Sequence, residues 1–241
     1  MRHFALIGRK LSHSFSKLYF SNKFQAEGIA ADYALCELAD ADALCAFLRG
    51  QHNLDGFNVT IPYKESIIPM IDSLSTVAAE VGAVNCVAVR NGKLIGHNTD
   101  IEGIEATLQA LDIPPCKALI LGTGGAAKAV AYQLGVRNIP FLKVSREAGR
   151  GDITYSELAD DIIATHHLIV NTTPLGMFPD TDSAADINYQ AIGAQHRIFD
   201  LVYNPAETLF MRRAAARGAK CIGGELMLHT QAEASWRIWN D

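Results

Sequence analysis

The chain of 241 residues has five cysteines and no Cys-x-x-Cys pair, so a disulfide framework and a thiolate zinc site are both excluded by count and spacing. Cys36, Cys45, Cys86, Cys116 and Cys221 are expected to be reduced and mostly buried thiols. Nor is there a run of lysines and arginines: with 21 basic against 26 acidic residues and a formal charge of -5, the chain has no footprint for nucleic acid or an anionic membrane surface. No apolar run approaches the length of a membrane span, and the one in "MRHFALIGRK" is too short for a signal-peptide core. These absences lead to the expectation of a cytoplasmic protein with a small-molecule partner; separately from them, a monomer or homodimer is expected. What is abundant is apolar residue, 49% of the chain, enough to build a sizeable core in one or two domains.

Short apolar runs alternate with longer amphipathic stretches, the pattern of parallel strands joined by crossover helices. The expected class is α/β. Residues 3–8, 32–38 and 56–61 read as strands, with helices over 16–27 and 40–49. Asn91-Gly92 lies between two apolar runs and predicts a two-residue hairpin. A helix over 101–111 ends at Pro114-Pro115, and beyond it residues 117–122, 141–146, 167–173, 197–203 and 219–223 read as five strands, with helices such as 125–135 and 207–217. The polar stretch 178–188 reads as a loop. His166 and His167 read as the start of a strand, since no carboxylate or cysteine stands at metal-ligand spacing.

In "LILGTGGAAKAVAYQL", Gly122, Gly124 and Gly125 follow a strand and open an alanine-rich helix, with Ala127 as the third small position. Such a turn lets backbone reach a pyrophosphate at a helix N-terminus; a purely structural tight turn is the alternative. The next strand ends in "VSRE", where an NAD site would carry an acidic residue on the ribose. Ser145 and Arg146, with Arg150 as a second cation, suit the extra phosphate of NADP, whereas Glu147 would repel it if turned inward. Near the N-terminus, "LSHSFSK" sets Ser12, Ser14 and Ser16 before a helix, as caps or as hydroxyl donors to a carboxylate. "GFNVTIPYKE" carries Asn58, Thr60 and Lys64 around a strand that stops at Pro62. On residue type alone Lys64 reads as a solvated lysine and Asp100 as a helix N-cap.

These elements, followed by "GAVN" (82–85), "HNTD" (97–100), "NTTPLGM" (171–177), "DLVYNP" (200–205) and "GGELMLHTQA" (223–232), resemble the shikimate dehydrogenase family in order and spacing over residues 7–235. The resemblance implies an N-terminal substrate-binding domain, residues 1–99 rejoined by 224–241, and a Rossmann-type NADP-binding domain over 100–223, with a cleft between them. It implies reversible, NADP-dependent reduction of 3-dehydroshikimate to shikimate, a step toward the aromatic amino acids. By the same resemblance Ser14 and Ser16 bind the substrate carboxylate, and Thr60, Asn85, Tyr203 and Gln231 complete the substrate contacts; Asn58, polar at the same strand end, is expected to join them. Lys64 and Asp100 become the acid/base pair. NADP(H) falls to Gly122, Thr123, Gly124, Gly125, Ala126, Ser145, Arg146, Arg150, Leu201, Gly224 and Met227, with no metal. The chain departs from the family in having Lys17 where a proline is usual, Ser-Arg-Glu in place of Asn-Arg-Thr at the strand end, and a shorter length. A dehydrogenase for quinate or an amino analogue of shikimate is the alternative within the class. A folate-type dehydrogenase and a catalytically silent cofactor-binding module are the alternatives outside it.

Overall fold

The computed structural model describes residues 1–11, 14–50 and 53–241; Ser12 lies outside them. The chain divides into two compact units, Met1–Thr99 with Ala232–Asp241, and Asp100–Gln231.

In the first unit the chain runs β1 (Arg2–Gly8), α1 (Phe15–Glu27), β2 (Ala31–Glu37), α2 (Ala41–Gly50), β3 (Gly56–Val59), β4 (Ser73–Leu74), α3 (Thr76–Val81), β5 (Cys86–Arg90) and β6 (Lys93–His97). The sheet order is β2-β1-β3-β5-β6-β4. β1 pairs parallel with β2 and β3, while β5 runs antiparallel to both β3 and β6. The β5–β6 hairpin turns at Asn91 and Gly92 with φ of 52° and 76°, the left-handed pair that a tight hairpin needs. Trp239 is buried among Phe4, Phe20 and Tyr33, stacks on Phe4 at 4.6 Å, and donates its indole N–H to Val87 O at 3.0 Å. Gly56 admits it: a Cβ there would run into the indole. Burial of so large an aromatic ties the C-terminal residues to a sheet formed by the first hundred.

The second unit contains α4 (Asp100–Ala110), β7 (Ala118–Leu121), α5 (Gly125–Val136), β8 (Phe141–Ser145), β9 (Ile153–Thr154), α6 (Asp160–Thr165), β10 (Leu168–Asn171), β11 (Arg197–Asp200), α7 (Leu209–Ala215), β12 (Lys220–Ile222) and the start of α8 (Glu225–Asn240). Its six strands are ordered β12-β11-β10-β7-β8-β9 and all pair in parallel. β7 and β10 are buried along their whole length, which is why they read as unbroken apolar runs. This is the doubly wound arrangement of dinucleotide-binding sheets, with the direction of winding reversing between β7 and β10.

The strands end earlier than the apolar pattern predicts, because the last residues of these runs leave the ladder. Residues 172–173 and 201–203 are such cases, beyond β10 and β11. By contacts, residues 224–231 fall in the second unit, although the expected boundary put them with the first. Their first turn is held there: Gly224 N donates to Val202 O at 3.0 Å, and Met227 lies against the bare backbone of Gly103 in α4. Stretch 178–188 has no regular element but is anchored by the buried Ala185 and by a hydrogen bond from Gly176 N to Ser183 Oγ at 2.9 Å.

Candidate active site

In the first unit one edge of the sheet gathers the polar signals. β1 and β3 end there, β5 begins there and β6 ends there, since β5 is antiparallel to its neighbours. Thr60 N donates to Ile7 O at 2.9 Å, Val59 N to Asn85 O at 2.8 Å, and Asn85 N to His97 O at 3.1 Å, so the ends are laced together by backbone. Gly8 lets the edge close, because a Cβ there would come within 2.6 Å of Thr60 Cγ2. Lys64 is half-buried and its backbone is held on two sides. Its carbonyl accepts from Val84 N at 2.7 Å, and the preceding Tyr63 is buried and donates to Leu38 O at 2.6 Å.

Beneath this edge lies a buried polar network that spacing alone does not reveal. Tyr33 donates to Asn58 Oδ1 at 2.8 Å, and Asn58 Nδ2 donates to Asn85 O at 3.2 Å and to Ser235 Oγ at 2.9 Å. Ser235 Oγ lies 3.1 Å from Thr99 Oγ1, which in turn accepts from Asn85 Nδ2 at 2.9 Å, while Thr99 N donates to Asn85 Oδ1 at 2.6 Å. Burial raises the Tyr33 phenol well above its ordinary value, opposed in part by a hydrogen bond from Ser16, so the phenol stays a donor at neutral pH. Asn58, expected against substrate, is 5% exposed, with both amide protons and its oxygen engaged by protein. It supports Asn85 from below. The two serines differ as well. Ser14 is half-buried at the N-cap of α1 without a side-chain capping bond, whereas Ser16 is buried and bonded to Tyr33. Asp100 is buried and is the first residue of α4, directly after Thr99.

In the second unit the corresponding edge is where the parallel strands end. Gly122 follows β7 with φ of 117°, and a Cβ there would come within 2.5 Å of Thr172 Oγ1. Only glycine meets both conditions. Gly124 is the N-cap of α5 and has open space where a side chain would stand; Thr123, Gly125 and Ala126 are partly exposed beside it. At the end of β8, Ser145 is buried and its hydroxyl accepts from Glu147 N at 3.1 Å, a cap on the turn. Arg146 is exposed. The Glu147 carboxylate lies 3.4 Å from the Arg150 guanidinium in an exposed pair, and Arg146 is the other cation of this turn. Tyr203 and Gly224 line a cavity of about 430 Å³ together with Gly223, Leu226 and His229. Leu201 is half-buried beyond β11, Gln231 is half-buried on α8 and donates to Leu228 O at 3.0 Å, and Met227 is buried. Among the described residues no cluster of three or more histidines, cysteines or carboxylates could hold a metal ion.

A doubly wound parallel sheet with a glycine turn and a strand-end arginine, in one chain with a polar-edged α/β sheet, defines a dinucleotide-binding protein of two units. The family profile described as the shikimate dehydrogenase substrate binding domain matches residues 6–87. Shikimate dehydrogenase (NADP(+)) of Chlorobium chlorochromatii is 35% identical over 99% of this chain and 91% of its own length. The structure of shikimate 5-dehydrogenase from Thermus thermophilus in complex with NADP(H) and shikimate superimposes with a TM-score of 0.88 at 30% identity, covering 99% of this chain and 93% of that one. Quinate dehydrogenase from Corynebacterium glutamicum in complex with NAD is also similar, with a TM-score of 0.86 at 26% identity over 99% of this chain and 93% of that one. The chain belongs to the shikimate dehydrogenase family.

Proposed function

We propose that the protein is an NADP-dependent dehydrogenase that interconverts 3-dehydroshikimate and shikimate, with most of the substrate contacts on the first unit and the cofactor on the second. The observation that carries this reading is the match to NADP-dependent shikimate dehydrogenases along nearly the whole of both chains. The glycine turn is compatible with the cofactor: positive φ at Gly122 and open space at Gly124 leave backbone N–H groups of α5 accessible to a pyrophosphate. Arg146 is the group for the 2′-phosphate, and it outranks Arg150, whose guanidinium is paired.

NADP(H), when bound, supplies or accepts the hydride. The chain's own task is to hold a carboxylated ring, exclude water and move one proton. Ser14 donates its hydroxyl to the substrate carboxylate, with Ser16 beside it. Thr60, Asn85, Tyr203 and Gln231 hold the ring hydroxyls, and Asn58 supports Asn85. Lys64 gives its proton to the carbonyl oxygen as the alcohol forms and takes it back in the reverse direction, and Asp100 orients it.

Steady-state kinetics of Lys64→Ala test the assignment. Turnover is expected to fall by about 100-fold or more with KM for shikimate little changed. Near-normal turnover would remove Lys64 from the reaction.

A further inference from the structure

Asp200 stands outside the roles assigned above, yet it is a fully buried carboxylate at the end of β11, next to Leu201. Among the described residues three groups hydrogen-bond to it, and each donates. Asn171 Nδ2 reaches Oδ1 at 2.9 Å, Val202 N reaches the same oxygen at 3.1 Å, and Thr208 Oγ1 reaches Oδ2 at 2.6 Å. The Thr208 hydroxyl accepts from Met211 N at 3.2 Å at the head of α7, which fixes its own proton toward Asp200. Asn171 accepts on its oxygen from Thr173 N at 3.0 Å and Thr173 Oγ1 at 2.6 Å, which fixes its amide protons toward Asp200 as well. A carboxyl group met only by donors is satisfied as the anion, since a protonated one would have no acceptor. Among the described residues no lysine or arginine forms an ion pair with it, and burial raises its proton affinity. The charge is therefore held by neutral dipoles alone.

Further bonds from the neighbouring segments make a belt across the strand ends. Thr172 N and Thr172 Oγ1 donate to Leu121 O at 3.0 and 2.7 Å, directly before the glycine turn. Leu201 N donates to Asn171 O at 3.0 Å, and Gly224 N to Val202 O at 3.0 Å. Asp200 sits where the segments carrying Gly122, Leu201 and Gly224 are tied together.

We propose that Asp200 is a positioning residue for the cofactor, which fixes the segments that flank the nicotinamide and whose negative charge favours the oxidised, cationic ring over the reduced, neutral one. This rests on the reading above that Leu201 and Gly224 line the nicotinamide. A purely structural carboxylate would give stability and leave the two redox forms alike.

The test is a fluorescence titration of the full chain with NADP+ and with NADPH, in the absence of substrate. In Asp200→Asn, which keeps the shape and removes the charge, Kd for NADP+ is expected to rise about tenfold and Kd for NADPH by less than about threefold. An unchanged ratio of the two constants overturns the charge bias. Thr208→Val keeps the charge and removes its shortest bond, so both constants are expected to rise by a similar factor, with Thr208→Ser restoring them. If Thr208→Val folds and binds both forms as the wild type does, the positioning role is overturned, whether or not Asp200→Asn folds. A wild-type chain that binds neither form would instead overturn the functional reading itself.

Discussion

Ser14 and Ser16 stand two residues apart and yet face different tasks. Ser14 is half-buried and spends no bond on capping α1, while the Ser16 hydroxyl is buried against Tyr33. Ser14 is therefore the more open donor to a carboxylate, a contact made equally in ground and transition states. Ser14→Ala is expected to raise KM for shikimate about tenfold with kcat nearly unchanged, in line with a lost hydrogen bond to a charged group. Ser16→Ala should both raise KM and lower the melting temperature, because it also strips a partner from a buried phenol. A fall in kcat at constant KM in Ser14→Ala would show the carboxylate pocket to be misplaced. Asn58 illustrates what residue type cannot convey. Its polarity marked it for the site, but its partners Tyr33 and Ser235 come from β2 and α8 and are far away in sequence. No spacing rule connects them.

At the scale of elements, α4 and α5 are clamped by one carboxylate. Arg137 Nε and Nη2 donate to Glu105 Oε2 and Oε1 at 2.8 and 2.6 Å, Gln109 adds a bond at 2.7 Å, and Gln133 Nε2 donates to Oε2 as well. The Arg137 guanidinium, more than any other group, pulls the Glu105 carboxyl from its usual 4.5 down to about 2. A depressed folded-state value stabilises the protein above the unfolded value and is lost as pH falls from about 4.5 toward 2. Glu105→Gln should therefore lower the melting temperature at pH 7 and make little difference near pH 2; an equal loss at both would assign the effect to packing rather than to charge. The clamp is partly solvated, so its worth is that of a good surface pair. Long elements were legible in the sequence because their period repeats: β1, α1, the β5–β6 hairpin and α5 fall within a residue or two of their expected bounds. The sequence reading did not find β4, β9, α3 and α6, each six residues or fewer, which are too short for a period to stand out from chance.

On the scale of the whole molecule, the α/β class and the glycine turn follow from pattern and local chemistry, and the family follows from the order of modest motifs along nearly the full length. What pattern could not convey is which polar residues face a ligand and which hold the frame. Ser145 is an example: at the position expected for a phosphate ligand, its hydroxyl also accepts from Glu147 N and caps the turn. Likewise the threat that Glu147 poses to a phosphate is answered by Arg150, a pairing only the folded turn discloses. On the proposed reading, the choice of NADP over NAD rests on Arg146, and the choice of shikimate over quinate on the ring contacts. Both are read in one assay: nicotinamide absorbance at 340 nm, a general property of reduced nicotinamides, followed with shikimate and with quinate, each with NADP+ and with NAD+. The account predicts the fastest reduction with shikimate and NADP+, and a loss of the preference for NADP+ in Arg146→Ala. No absorbance change in any of the four combinations would contradict it.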